Sequence, residues 1–194
     1  MKNTRLTKTK LLCIVVLWCI SSFTTHAQLD YKMAGPFKVV ARDGEFRASK
    51  GGSERDMKAA FDLANIYSNK KASSTADREK AKAKALDIIN AYSSNLERLD
   101  GHDAPLCAIQ CFDMVRAMTI LRDFKTPQWD AMVRNAMLPT IDKFEADSPY
   151  ANGNWGAIVN RLRMAIGIYL QDKDIYQASV DYFYNANDNG ALPK

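Results

Sequence analysis

The sequence predicts an all-α protein, built of helical hairpins that form an arc of an incomplete α/α toroid behind a short irregular or hairpin N-terminal arm. Three observations lead there. After Gly52, apolar residues recur at helical spacing in successive segments, and no alternating strand pattern interrupts them. The segments pair, and the pairs begin near Ser53, Ala104 and Asn154, a period of about 50 residues where common helical repeats run roughly 33 to 47. From the third segment onward, broadly apolar helices alternate with amphipathic ones. Such alternation suits a double layer whose inner helices are packed on all sides and whose outer helices face water.

The first 27 residues read as a secretory leader. Lys2, Arg5, Lys8 and Lys10 make a basic start, Leu11 to Ile20 is an apolar run too short to span a bilayer, and Thr25-His26-Ala27 ends in a small residue before Gln28. Cys19 follows the bulky Trp18, which disfavours lipid processing. The expectation is a periplasmic or secreted protein with no membrane association after cleavage. Residues 28–52 form the arm, where Asp43-Gly44 between Phe37–Arg42 and Glu45-Phe46-Arg47 signals a hairpin. Residues 53–194 form the helical domain.

Within it, Ser53 is the expected N-cap of a helix carrying Met57, Ala60, Phe61, Ala64 and Tyr67 on one face. A second helix, about Asp77 to Leu99, has a stripe of Ala81, Ala85, Ile88, Tyr92, Leu96 and Leu99 and reads as an outer, half-exposed element. The third, capped by Asp103, is apolar nearly all round, through Cys107, Cys111, Met114, Met118 and Leu121 on one face and Ile109, Phe112, Val115 and Ile120 elsewhere. Thr126-Pro127 opens a fourth, broken by Pro139. Trp155 starts a fifth, broadly apolar to Tyr169, and Asp174 caps a sixth that fades after Asn185. Gly190 to Lys194 reads as the start of a connection, so the helical arc is expected to be the N-terminal portion of a larger architecture.

Composition excludes some partners. The formal charge of +5 comes mostly from the leader, which holds four of the 27 basic residues and none of the 22 acidic ones, leaving the mature chain at +1. No basic stripe survives processing, so nucleic acid is not an expected partner. Cys107 and Cys111 are one helical turn apart, a poor geometry for a disulfide, and two buried thiols are the favoured reading. No His or second Cys pair sits at ligand spacing, so no metal or other cofactor is expected.

The stretch Ser148-Pro149-Tyr150-Ala151-Asn152-Gly153-Asn154-Trp155-Gly156-Ala157 gathers Pro, Gly, Asn and Trp at the mouth of an apolar helix. Amides and an indole there are suited to holding a charged sugar ring. Together with Gly101-His102-Asp103-Ala104-Pro105-Leu106-Cys107, Ile109-Gln110 and Asp43 to Asp56, it resembles the alginate lyase-like polyuronate lyases, whose catalytic domain is an α/α toroid. The resemblance runs through Met164-Ala165-Ile166-Gly167 to Gly190-Ala191-Leu192-Pro193 and covers the N-terminal half of the usual domain.

That resemblance implies β-elimination on a uronic-acid polymer such as alginate or glucuronan. Donors aimed at the substrate carboxylate stabilise the charge that develops when the C5 proton leaves, and His and Tyr move protons. Counting back from Trp155, the family's Asn-Asn-His pattern falls on Ala151 and Asn152, so this chain departs from it and is similar to a subgroup with Asn-Gly-Asn-Trp. Asn152 and Asn154 are the candidate catalytic amides, and Trp155, His102 and Gln110 the candidate substrate contacts. The plainer alternatives remain open: helix caps for the two Asn, core for Trp155, a turn contact for His102 and a backbone contact for Gln110. Arg161 and Arg163, two apart, point to different faces, so at most one meets a groove. The family's remaining His, Arg and Tyr would fall beyond Lys194. The competing function is a non-catalytic helical protein that binds glycans or a partner.

Overall fold

The structure, a computed structural model, describes residues 28–35, 45–71, 73–94, 104–147 and 154–185. The chain divides into two units, Met1–Lys32 and Met33–Lys194. The described part of the first is a single helical turn, in which the Tyr31 N–H donates to the Gln28 carbonyl at 3.1 Å. The leader lies outside the described residues.

In the second unit every regular element among the described residues is helical. In chain order these are α1 (Glu45–Ser68), α2 (Thr75–Ser93), α3 (Ala104–Ile120), a 3₁₀ turn (Arg122–Phe124), α4 (Pro127–Met132), a π turn (Val133–Met137), α5 (Leu138–Asp147), α6 (Asn154–Leu170) and α7 (Lys173–Asn185). α1 packs on α2 and α3, α3 on α1 and α6, and α6 on α3 and α7. α2 also meets α4, and α5 meets α6. The all-α expectation holds.

The start of α1 corrects the arm. Glu45-Phe46-Arg47, expected as a strand, is helical, and Ser53 is buried inside the helix instead of capping it. Glu45 to Lys50 are adequate helix formers, and the strand reading rested on the Asp43-Gly44 turn signal alone; that signal lies partly outside the described residues. Asp56, placed by the sequence in a solvent-facing first turn, is fully buried. Its carboxylate accepts the N–H groups of Ala34 and Gly35 at 2.8 and 2.9 Å and the Tyr92 hydroxyl at 2.7 Å. One carboxylate thus ties an extended segment to two helices, with its lone pairs met by donors as burial requires.

α2 begins at Thr75, ahead of the expected Asp77, because Ser74 is the N-cap: its hydroxyl accepts the Asp77 N–H at 3.1 Å and donates to the Asp77 carboxylate at 2.7 Å. Leu96 and Leu99 lie outside the described residues. Pro127 occupies the first turn of α4, as expected. The interior Pro139 is accommodated by the π turn just before it, where the Leu138 N–H reaches back to the Val133 carbonyl. Widening the turn relieves the clash between a proline ring and the carbonyl four residues earlier. Trp129 is fully buried, and its indole N–H donates to Asn90 at 2.7 Å.

α6 ends with Gln171 in the left-handed region, φ 56°. The Asp172 N–H donates to the Gly167 carbonyl at 2.9 Å, which closes a Schellman-type terminus. Asp172, not Asp174, then caps α7: its carboxylate accepts the N–H groups of Asp174 and Ile175 at 3.1 and 3.2 Å. Gly167 is required here. A Cβ at that position would lie 2.8 Å from the Tyr176 backbone nitrogen, so α6 and α7 approach this closely only without one. Cys111 is a buried free thiol, as expected.

Candidate functional site

α6 has two working sides. Residues seven apart share nearly the same angular position on an α-helix, so Asn154, Arg161 and Ile168 line one stripe, and all three are exposed. The stripe faces the matching edges of α3 and α1. α3 is not packed on all sides as its composition suggested: Arg116 is exposed, and Phe112, Thr119 and Ile120 are half-buried. On α1, Phe61 is half-buried and Asn65 exposed. Together these edges wall an open groove of about 510 Å³, with Met164 and Ala165 completing its lining. That volume is in the range of small-molecule sites.

The groove's cations lie on its aromatic rings. The Arg116 guanidinium is 3.6 Å from the centroid of Phe61 and 5.2 Å from that of Phe112. Arg161 reaches the Phe112 ring from α6, 4.0 Å from its centroid. Arg116 also pairs with Asp113 at 3.2 Å. Arg161 has no carboxylate partner among the described residues. Each Arg–ring contact contributes about 0.5–1 kcal/mol at an exposed site. More important for chemistry, stacking fixes the plane of a guanidinium while leaving its edge donors open.

The opposite side of α6 is closed. Arg163 is buried and donates to Asp142 at 2.6 Å and to Glu145 at 2.5 Å, both on α5. Burial pushes the Glu145 carboxyl up to about 7, outweighing the attraction of Arg163. Burial and the nearby Glu145 charge also raise the Tyr182 hydroxyl. Three residues back on that side, the Asn160 amide donates to the Ser179 carbonyl at 2.8 Å. At the α4 end, burial of Asp130 is overcome by hydrogen bonds from Lys125 and Tyr169, and its carboxyl falls below the usual range.

Compared with known protein families, with curated proteins and with solved structures, the chain has no match. The site therefore stands on its own geometry.

Of the residues singled out from sequence, Asn154 opens α6 on the groove stripe, about 10 Å along the axis from Arg161 at 1.5 Å per residue. Trp155 is 36% exposed, which removes the core alternative, and its position is rotated about 100° from that stripe. Gln110 lies in α3, with its side chain outside the described residues. Asn152 and His102 also lie outside them. Arg116 and Phe112 are site residues that the sequence reading does not single out. Their i, i+4 spacing is visible there, but a helix so apolar reads as core throughout. Among the described residues no three His, Cys, Asp or Glu side chains are grouped as metal ligands, and no helix is long and apolar enough to cross a membrane.

Proposed function

We propose that this protein acts on uronic-acid polymers such as alginate or glucuronan as an exported polysaccharide lyase of the α/α-toroid kind, with the α1/α3/α6 groove holding the substrate. The observation that carries the reading is the pair of ring-stacked guanidiniums on the wall of an open groove. A polyuronate presents a carboxylate on every ring and apolar C–H faces between. The groove offers matching parts: Arg161 and Arg116 for charge, Phe61, Phe112, Met164 and Ile168 for the faces. Successive packing of α1, α3 and α6, with α2, α4–α5 and α7 as their companions, suits one arc of a double-layered toroid. The run of Asn154 into the Arg161 stripe supports an amide and a guanidinium acting along one bound chain.

In such a site the chemistry begins with the carboxylate beside C5. Donors that neutralise it lower the barrier to proton loss by stabilising the enolate-like charge, and this electrostatic stabilisation is expected to outweigh proton transfer in such a reaction. A second reading, glycan binding without cleavage, is favoured by the groove's described lining, which has cations, rings, an amide and a hydroxyl but no imidazole, phenol or carboxylate.

Purified protein incubated with alginate and with glucuronan tests both. Growth of ultraviolet absorbance from the unsaturated product supports the lyase. Retained binding without absorbance leaves the binding reading and sinks cleavage by this chain. Failure to bind either polymer, measured by affinity electrophoresis, removes both.

A further inference from the structure

We propose that Arg161 is the residue that reads an ionised carboxylate in the α1/α3/α6 groove, and that the groove therefore takes free uronates and rejects their methyl esters. The inference rests on the polyuronate reading and narrows its substrate class.

The two groove arginines are not equivalent. Arg116 is held by Asp113 at 3.2 Å and lies against two rings, so its charge is partly answered and its position fixed. Arg161 is exposed and stacked on Phe112 at 4.0 Å, with no carboxylate partner among the described residues. A guanidinium lying on a ring cannot use its faces for hydrogen bonding, but its in-plane N–H donors form the fork that matches a carboxylate bidentately. Phe112 also restricts the side chain before binding, which reduces the ordering penalty on association. Arg116, sharing the same ring, is the positioning neighbour.

The ligand follows from the chemistry of that fork. An ionised carboxylate supplies two equivalent acceptor oxygens and a full charge. A methyl ester supplies no charge, one good acceptor and a methyl group where the second N–H would donate. Loss of a charge-assisted hydrogen bond of this kind corresponds to about a 10- to 100-fold loss in affinity. Wherever the natural polymer is esterified, ester hydrolysis must therefore precede its use by this protein.

The test is calorimetric titration of the full chain with uronate oligomers, their methyl esters and neutral oligosaccharides of the same length. The wild type is expected to bind the free acid about tenfold or more tightly than the ester. Arg161→Gln should lose about 10- to 100-fold for the acid and bind acid and ester alike, with an unchanged circular dichroism spectrum and melting midpoint. Arg161→Lys should recover part of the affinity, because it restores the charge without the fork. Arg161→Gln that binds and discriminates like wild type overturns the assignment while leaving the polyuronate reading in place. No binding of any uronate by the wild type overturns the reading itself. A wild-type dimer that becomes monomeric in Arg161→Gln identifies a second copy as the groove's occupant and also overturns the proposal.

Discussion

Arg161 and Arg163 stand two residues apart on α6 and meet opposite environments. Arg161 lies on the open side, its charge resting on a phenyl ring and facing solvent. Arg163 lies on the packed side, where Asp142 and Glu145 take up its donors at 2.6 and 2.5 Å. The same side chain is a ligand-ready group in one place and a structural tie in the other. What separates them is whether the neighbouring helix offers a carboxylate or an aromatic edge. Function should track the first arginine and stability the second.

The strongest way to break this division is Arg163→Ala. Removing one partner of a buried pair strands the other, and a loss of about 3 kcal/mol is expected in urea unfolding at a pH of about 7.5. Polyuronate affinity of the remaining folded protein should stay within about twofold, a bound set by the opposite placement of the groove. A large affinity loss at preserved stability would reverse the roles assigned to the two faces.

The packed side should also show itself through pH. Glu145 binds its proton more tightly in the folded state, up to about 7, than the ordinary 4.5 of the unfolded chain. Between those values the folded protein holds more protons, so stability falls as pH rises through the window and levels off above it. The expected decline is on the order of 1–3 kcal/mol. Glu145→Gln should flatten that slope when chemical unfolding is followed from about pH 5 to 8. Asp130 acts in the opposite sense at lower pH, where its depressed carboxyl is protonated and its ties to Lys125 and Tyr169 weaken.

A third variant loads the packed side without touching any charge. Gly167→Ala forces a methyl toward the Tyr176 backbone at 2.8 Å, and α7 must move away from α6. A loss of about 1–3 kcal/mol in thermal or urea unfolding is expected. The smallest effect on stability belongs to Arg161→Ala, which forfeits a ring contact worth about 0.5–1 kcal/mol. If it destabilises as much as Arg163→Ala, the groove face is structural and the comparison fails.

One half of this picture is visible in the sequence. Apolar spacing locates each described helix, and the i, i+2 separation of Arg161 and Arg163 already puts them on different faces. It does not say which face is open, because that depends on α5 bringing Asp142 and Glu145 alongside and on α3 bringing Phe112. The start of α1 is misplaced by sequence for a similar reason. Ser53 and Asp56 have the local chemistry of a helix terminus, and only contacts with distant Ala34, Gly35 and Tyr92 make Asp56 an interior acceptor. Arg116 escapes notice because the apolar residues around it outvote a single cation. Of the Asn-Gly-Asn-Trp signal, Asn154 lies on the groove stripe and Trp155 does not.

The π turn at Val133–Met137 has a consequence for how this chain can change over evolutionary time. An α-helix rotates about 100° with each residue, and a π turn absorbs one residue more than an α turn does. Everything downstream of it, through Phe144 and Glu145, therefore sits about a quarter of a revolution from where an uninterrupted helix would aim it. Loss of one residue from this turn, such as the exposed Asn135, would swing Glu145 off Arg163 while leaving every ion-pairing side chain in the sequence. Insertions and deletions in α4–α5 are thus constrained by phase, whereas substitutions on its outer surface are not.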